Sequence, residues 1–181
     1  MVPLKVTESQ VNNKKAFRIH GRSFPVKSRS VASVLLMGLL TCGSAWARDV
    51  ALVSNKANTM NGIALADLVK ACKGETTHWQ DGKPVVVIMR RPAMAEMKLV
   101  VDKVYGVSEG EVTQIIAAAN RSRGNHPAVV FADNDQDVLN QVSNTPGAVG
   151  FVDVYSINSS VEVLKVGGHL PLEPGYVLHG N

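Results

Sequence analysis

Short apolar runs recur along residues 49–166, separated by segments with helical spacing or with turn residues. Four of these runs are rich in valine, alanine and other apolar residues, and they predict strands. A fifth run, residues 161–166, alternates apolar and polar side chains and predicts a strand with one face in water. The other four predicted strands are residues 49–54, 85–89, 128–132 and 148–152.

Four helices are predicted from apolar residues at helical spacing, some with capping residues or a proline in the first turn. The first covers residues 65–72, and the second runs from Pro92 or Ala93 to Gly106. The third begins at a capping box formed by Ser108 and Glu111, and its inward face reaches Ala119. The fourth includes residues 138–142. Residues 120–127 are expected to be loop, and the tail from Leu170 to be extended. Strands that alternate with helices indicate an α/β fold, here a mixed sheet of about five strands with helices packed on it.

Residues 26–47 have the parts of a secretory signal peptide. Lys27 and Arg29 precede an apolar run of ten residues, 31–40, which is too short to cross the ~30 Å hydrocarbon core of a bilayer as a helix. Residues 45–47 read Ala-Trp-Ala, a small-x-small cleavage signal, so we expect a cut after Ala47. An uncleaved membrane anchor is the alternative, because the apolar stretch extends to the same residue.

Cleavage would leave residues 48–181 as an exported domain, periplasmic or secreted. Residues 1–25 are polar and basic and are expected to be a disordered extension, with translation starting at Val26 as a further hypothesis. Cys42 is a poor lipidation site, because a threonine precedes it, and it would leave with the signal peptide. Cys72 would then have no disulfide partner, and its place on an apolar helix face favours a small core residue over a nucleophile.

Charge is unevenly distributed along the chain. The formal net charge is +4, but residues 1–47 carry seven Lys and Arg residues against one acid, whereas the remainder carries 12 against 14. The exported domain is therefore slightly acidic and lacks the positive surface that a nucleic acid requires. Once the signal peptide is removed, we also expect no insertion into a membrane.

The sequence contains no catalytic signature, since neither a Gly-x-Ser-x-Gly elbow nor a phosphate-binding glycine loop occurs. The histidines after residue 48 are dispersed, without metal-ligand spacing. The acidic run at 133–137 begins like a calcium loop, but Val138 and Asn144 occupy positions that need glycine and glutamate. We interpret this run as a helix N-terminus and expect no enzymatic activity, no metal and no cofactor.

Arg90 and Arg91 are the candidate ligand-binding residues. They follow a predicted buried strand and precede a predicted helix, and ligands bind at the carboxyl ends of strands in open α/β sheets. Guanidinium groups beside the first turn of a helix suit an anion. The alternative is a pair of solvated arginines matched by nearby acids.

A series of short motifs along residues 49–178 resembles the phosphate-binding proteins of phosphate ABC transporters, within the type II periplasmic-binding-protein superfamily. The most specific motifs are Trp-Gln-Asp-Gly at 79–82 and Thr-Pro-Gly-Ala-Val-Gly-Phe-Val at 145–152. The tail at 168–176 resembles the end of short periplasmic-binding-protein-like members. The resemblance implies a single lobe of that fold, which captures an oxyanion without chemistry and delivers it to an inner-membrane ABC permease.

The resemblance also assigns a role to the paired arginines, because the family places an arginine after its central strand. Arg91, or alternatively Arg90, matches it, and the loop residues Asn55 and Thr59 complete the predicted contacts to phosphate or another small anion. The family's Ser-Gly-Thr signature is replaced here by Pro-Ala-Met-Ala-Glu at 92–96, and only the leader precedes the matched lobe. An envelope interaction protein that retains the lobe but has lost the ligand is therefore the alternative function.

Overall fold

A mixed sheet of five strands lies at the centre of residues 48–180, the part of the chain that this computed structural model describes. The predicted extension, signal peptide and cleavage site lie outside the described residues. In the main sheet the strands are β1 (Val50–Ser54), β3 (Val86–Met89), β4 (Val129–Phe131), β5 (Ala148–Asp153) and β6 (Glu162–Val163). The predicted α/β class and the sheet of about five strands are confirmed.

Strand direction divides the sheet into two edges. The order is β4-β3-β5-β1-β6, with β3 parallel to β4 and β5, and β1 antiparallel to β5. The carboxyl ends of β3, β4 and β5 therefore share one edge with the amino end of β1. We call this the Arg90 edge, formed by residues 48–49, 90–96, 132–135 and 153–156; the other end, at Asn55 and Ala148, is the opposite edge.

The predicted single strand at 161–166 is wrong, because Leu164 divides it between two sheets. The Leu164 N–H donates to the Leu52 carbonyl (2.9 Å), and its side chain is fully buried. Beyond it, β7 (Lys165–Val166) leaves the main sheet and pairs in parallel with β2 (Gly62–Ile63). The two-stranded sheet thus closes one side of the core.

Helices cover both faces of the main sheet. The first, α1 (Leu65–Cys72), has its predicted bounds, and α3 (Glu109–Arg123) opens with the predicted capping box. The loop predicted at 120–127 is wrong in its first half, because α3 continues to Arg123. The guanidinium of Arg123 donates to the carbonyls of Val85 (2.6 Å) and Thr76, which fixes the last turn against β3.

The helix α2 (residues 95–105) differs most from expectation. It begins at Ala95 rather than at Pro92 or Ala93, because Arg91–Met94 forms a turn in which the Met94 N–H donates to the Arg91 carbonyl (3.0 Å). Its first turn is a 3₁₀ turn (Ala95–Met97), followed by one α-helical turn (Lys98–Val100) and a π-helical stretch (Val101–Tyr105). The arginines are therefore followed by a turn rather than directly by helix.

The acidic run at 133–137 is a helix N-terminus, as predicted. The helix α4 (Asp135–Asn144) starts after Asn134, whose side-chain oxygen accepts from the Asp137 N–H (2.9 Å). Residues 170–180 are folded into turns rather than extended, which corrects the expectation for this part of the tail. It packs back on β1, where the Tyr176 hydroxyl donates to the Val50 carbonyl (2.9 Å) and Leu178 is fully buried.

Gly147 connects the two motifs that carried the sequence resemblance. Its carbonyl accepts from the Trp79 indole N–H (2.7 Å), and its own N–H donates to the Asn58 side chain (2.8 Å). It has a φ of +88°, and a Cβ at this position would lie 2.0 Å from the Pro84 carbonyl oxygen. Only glycine therefore allows this close approach of the 145–148 turn to the strand β3.

Cys72 is a core residue, as predicted, because it is fully buried among α1, α2 and β3. Burial raises the pKa of its thiol to about 12, so the thiol stays protonated, and thus unreactive, from pH 7 to pH 9.

We expect Ellman's reagent to label Cys72 at least ~100-fold more slowly in the native protein than in urea, with no acceleration at pH 9. In a Cys42→Ser variant Cys72 is the only cysteine, so all labelling reports on Cys72. Labelling of the folded protein that becomes faster as the pH rises would contradict the expectation.

Candidate functional site

The Arg90 edge collects charged residues from four strand ends. Arg90 follows β3, which lies between β4 and β5, so the residues after all three strands are neighbours. Asp133 follows β4, Asp153 ends β5, and Arg48 precedes β1. This edge is where an α/β sheet of this kind presents ligand-binding residues.

Arg90 is largely enclosed and already paired. Its guanidinium lies 3.3 Å from Glu96 and 3.6 Å from Asp135, with 14% of the side chain exposed. Asp135 is in turn held by the Asp153 N–H (3.0 Å) and the Ser156 hydroxyl (2.9 Å). The Nε of Arg90 is buried and has no hydrogen-bond partner within residues 48–180. Arg90 therefore mainly connects β3 to α4, and its charge is matched by two carboxylates.

Arg91 is the accessible member of the pair of candidate arginines. Its side chain is exposed, and its guanidinium carbon lies 5.5 Å from the ring centroid of Phe131. No carboxylate of residues 48–180 lies within ion-pairing distance of it, since the ion pairs of this part of the chain involve other residues. The cation–π contact orients the guanidinium without neutralising it, so it retains its donors for a ligand.

Asn55 and Thr59 lie at the opposite edge, so the structure does not bring the four predicted ligand residues together. Because β1 runs antiparallel to β3 and β5, its carboxyl end lies about 13 Å from Arg90, the length of a four-residue strand. The Asn55 amide donates to the carbonyls of Val142 (2.8 Å) and Ser143 (2.8 Å), and its oxygen accepts from Ala57 (2.8 Å). Its side chain is therefore occupied in tying β1 to α4.

Thr59 lines a cavity of about 390 Å³ at the opposite edge. The Thr59 hydroxyl donates to Asp81 (3.4 Å), and Asp81 pairs with the Lys83 ammonium at 2.6 Å. The hydrogen bonds and charge of Lys83 lower the pKa of Asp81 to about 2, so this carboxylate is ionised at all physiological pH values. Two acids, Asp67 and Asp81, and no Lys or Arg are among the lining residues, which makes the cavity unsuited to an anion.

Sequence reasoning misses two residues that shape the Arg90 edge, Glu96 and Asp135. It assigns Asp135 only to a helix N-terminus, although the position after β4 could have placed this residue beside Arg90 once β3 and β4 were paired. It treats Glu96 only as a departure from the family's signature. Both carboxylates lower the positive potential that the two arginines create at this edge.

No protein-family model and no curated protein matches this chain, but several solved structures share its fold. An ABC-type phosphate transport receptor from Vibrio cholerae is 18% identical with a TM-score of 0.55, over 70% of this chain and 50% of that chain. A putative phosphate ABC transporter substrate-binding protein with bound phosphate, from Clostridium perfringens, is 19% identical with a TM-score of 0.52, over 68% and 47%. PstS from Borrelia burgdorferi is 16% identical with a TM-score of 0.55, over 74% and 55%.

Residues 48–180 thus have the fold of a periplasmic-binding-protein lobe. Within that class, the solved structures are phosphate-transport receptors, so the resemblance predicted from the sequence motifs is confirmed at the level of the fold. The chain spans about half the length of the structures it matches. Among residues 48–180, no helix has the length and apolar character needed to cross a bilayer.

Proposed function

We propose that this chain is an exported solute-binding protein whose lobe binds phosphate or another small anion at the Arg90 edge without catalysis. It would work in the periplasm or outside the cell, with an inner-membrane ABC permease as its partner. One observation carries the proposal. Arg91 is an exposed guanidinium that follows the interior strand β3 and has no carboxylate partner within residues 48–180, in a fold shared with phosphate-transport receptors.

Arg91 supplies the charge in this proposal, and Arg90 supplies a second guanidinium only in competition with carboxylates. Glu96 is half-exposed and lies 3.3 Å from Arg90, so an incoming anion meets a like charge that has to turn away. One exposed cation in water gives weak binding that salt reduces. Because about 13 Å of strand separates the two edges, one small anion cannot contact Arg91 and Asn55 together in this lobe.

The test is isothermal titration of the full chain with phosphate, sulfate and acetate in low salt. We expect Arg91→Gln to weaken phosphate binding at least about tenfold, because it removes the unpaired charge. Glu96→Gln is expected to strengthen binding about threefold by removing the competing carboxylate. Arg121→Gln makes the same charge change at an exposed position near the end of α3 and should change the affinity less than about twofold.

Melting temperature measured against the same anions is an independent readout, because a ligand of the native state raises stability by mass action. If millimolar anion produces neither heat of binding nor a higher melting temperature, the proposal is refuted. Equal losses in Arg91→Gln and Arg121→Gln would show a non-specific charge effect and refute the assigned site.

A second candidate function is an envelope interaction protein that retains the lobe and binds no anion. The specific observation in its favour is that Arg90, with 14% of its side chain exposed, is already matched by Glu96 and Asp135. Under this function Arg90 is part of the framework and the edge contacts another macromolecule. The titration separates the two functions, because the second one expects no heat from any of the anions with wild type or with Glu96→Gln.

A further inference from the structure

The cavity at the opposite edge has no part in the proposed anion site. It measures about 390 Å³, which lies within the ~300–1,000 Å³ typical of sites for small molecules. One wall comes from residues 59–67, which lead through β2 into α1. The other wall comes from residues 76–81, which include the first three residues of the Trp-Gln-Asp-Gly motif. This motif therefore contributes to a concave surface that the anion site does not use.

Trp79 is held firmly in its wall. Its indole N–H donates to the Gly147 carbonyl (2.7 Å), and its backbone N–H donates to the Lys83 carbonyl (2.9 Å). Gly147 is not a lining residue, so the donor of the indole is used outside the cavity and a ligand meets the carbon surface of the half-buried ring. A fixed aromatic surface loses little conformational entropy when a ligand binds. The Thr59 hydroxyl and backbone N–H both donate to Asp81 (3.4 Å), which joins the two walls.

The charge around the cavity is balanced, although two carboxylates line it. Asp81 pairs with the Lys83 ammonium at 2.6 Å and Asp67 pairs with the Lys70 ammonium at 3.3 Å, and neither lysine is a lining residue. Because both carboxylates are paired, a cation gains little net attraction there. An anion finds no Lys or Arg among the lining residues. The cavity therefore favours a neutral ligand.

The polar groups of the walls require a neutral ligand that carries hydroxyl groups. The Oδ1 of Asp67 accepts from Lys70, whereas its Oδ2 accepts no hydrogen bond within residues 48–180. An apolar ligand would displace water from this oxygen without replacing its hydrogen bonds. Side chains that donate and accept lie around it, the half-buried Thr76 and the exposed His78 and Gln80. Sugars combine hydroxyl groups with apolar C–H faces that pack on an aromatic ring.

We propose that this cavity binds a sugar of one or two rings. A C–H face of the sugar packs on Trp79, and its hydroxyl groups bond to Asp67 and Gln80. The site lies at the opposite edge of the sheet from Arg91, so sugar binding goes beyond the proposed anion binding and does not depend on it. The lobe would then have two sites for ligands of different chemistry.

Saturation-transfer NMR of the full chain with glucose, galactose, N-acetylglucosamine and maltose tests the proposal. A Trp46→Phe variant then gives the affinity by fluorescence, because Trp79 is its only tryptophan. We expect at least one of the four sugars to bind with a dissociation constant of about 5 mM or less and to change the Trp79 fluorescence. If none of them gives a signal at about 20 mM, the proposal is overturned.

Substitutions of Asp67 test the assigned contact. Asp67→Ala is expected to weaken sugar binding at least about fivefold, because it removes an acceptor from the wall. Asp67→Asn keeps an acceptor oxygen and should lose less than Asp67→Ala. The Asp67 side chain is 62% exposed, so both variants are expected to unfold at the same urea concentration as wild type. Asp102→Ala removes an exposed acid from α2 and should change sugar binding less than about twofold. Equal losses in Asp67→Ala and Asp102→Ala would overturn the assigned site.

Two charged ligands separate this proposal from its competitors. Choline is expected to change the Trp79 fluorescence less than the bound sugar does, and a response to choline without a response to any sugar would overturn the proposal in favour of a cation site. Asp67→Ala is expected to leave the phosphate titration unchanged, because Asp67 and Arg91 belong to opposite edges. A loss of phosphate binding in this variant would contradict two separate sites. Failure of the phosphate titration in wild type would leave the sugar results unaffected.

Discussion

Gly147→Ala is expected to cost at least about 4 kcal/mol of the free energy of unfolding, enough to leave little folded protein. The new Cβ would lie 2.0 Å from the Pro84 carbonyl oxygen, which is a backbone atom in the connection to β3 and cannot turn away. Relief requires the 145–148 turn to retreat, which would break the hydrogen bonds to Trp79 (2.7 Å) and Asn58 (2.8 Å). Urea unfolding followed by circular dichroism measures the loss.

Two other glycines separate the clash from the backbone strain. Gly82 has a φ of +81°, and a Cβ added there would meet nothing within 4 Å, so Gly82→Ala is expected to cost only about 1 kcal/mol. Gly110 lies inside α3 with open space around it, and Gly110→Ala should stabilise the protein by up to about 1 kcal/mol. If Gly147→Ala costs no more than Gly82→Ala, the close approach to Pro84 does not limit this turn.

Asp49→Ala has the second largest expected effect, a loss of about 3 kcal/mol. The carboxylate is 5% exposed and accepts from the backbone N–H groups of Gly180 (2.9 Å) and Leu172 (3.2 Å). Alanine would leave these donors without their acceptor, at about 1–3 kcal/mol for each buried group. The tail is expected to detach first, so hydrogen exchange at residues 172–180 should accelerate more than exchange in β3.

His179 provides the matched control for Asp49. Its ring nitrogen lies 2.7 Å from the same carboxylate, but 61% of the side chain is exposed. His179→Gln is therefore expected to cost less than about 1 kcal/mol, because an exposed contact of this kind contributes little. Equal losses in the two variants would show that the contact with His179, rather than the backbone donors, ties the tail to β1.

The sequence predicted the elements whose signals are local. The capping box at Ser108 and Glu111 and the buried run of β3 each specify an element from within a few residues. The split at Leu164 and the folded tail were missed because both depend on partners far along the chain, Leu52 and Val50 respectively. The late start of α2 was missed because a proline in the first turn is compatible with helix and with turn alike.

The candidate site was predicted only in part, and the reason is strand direction. Alternation and burial are the same whichever way a strand runs, so nothing in residues 49–54 indicated that β1 is antiparallel to its neighbour. Asn55 and Thr59 were therefore expected beside Arg90 and lie at the other end of the sheet. The carboxylates around Arg90 could not be predicted from the sequence either, since Asp135 approaches Arg90 only because β3 pairs with β4.

The same antiparallel strand has a practical consequence for attaching the protein to a sensor surface. Arg48 leads into β1 at the Arg90 edge, and Gly180 returns to Asp49 at the same place. A tether at either of these positions would therefore crowd the face that carries Arg91 and Tyr155. A fluorophore or biotin on a cysteine introduced at Gln80 would leave that face open to the solution, because Gln80 lies at the opposite edge of the sheet. An immobilised molecule would then be oriented with the Arg90 edge away from the surface.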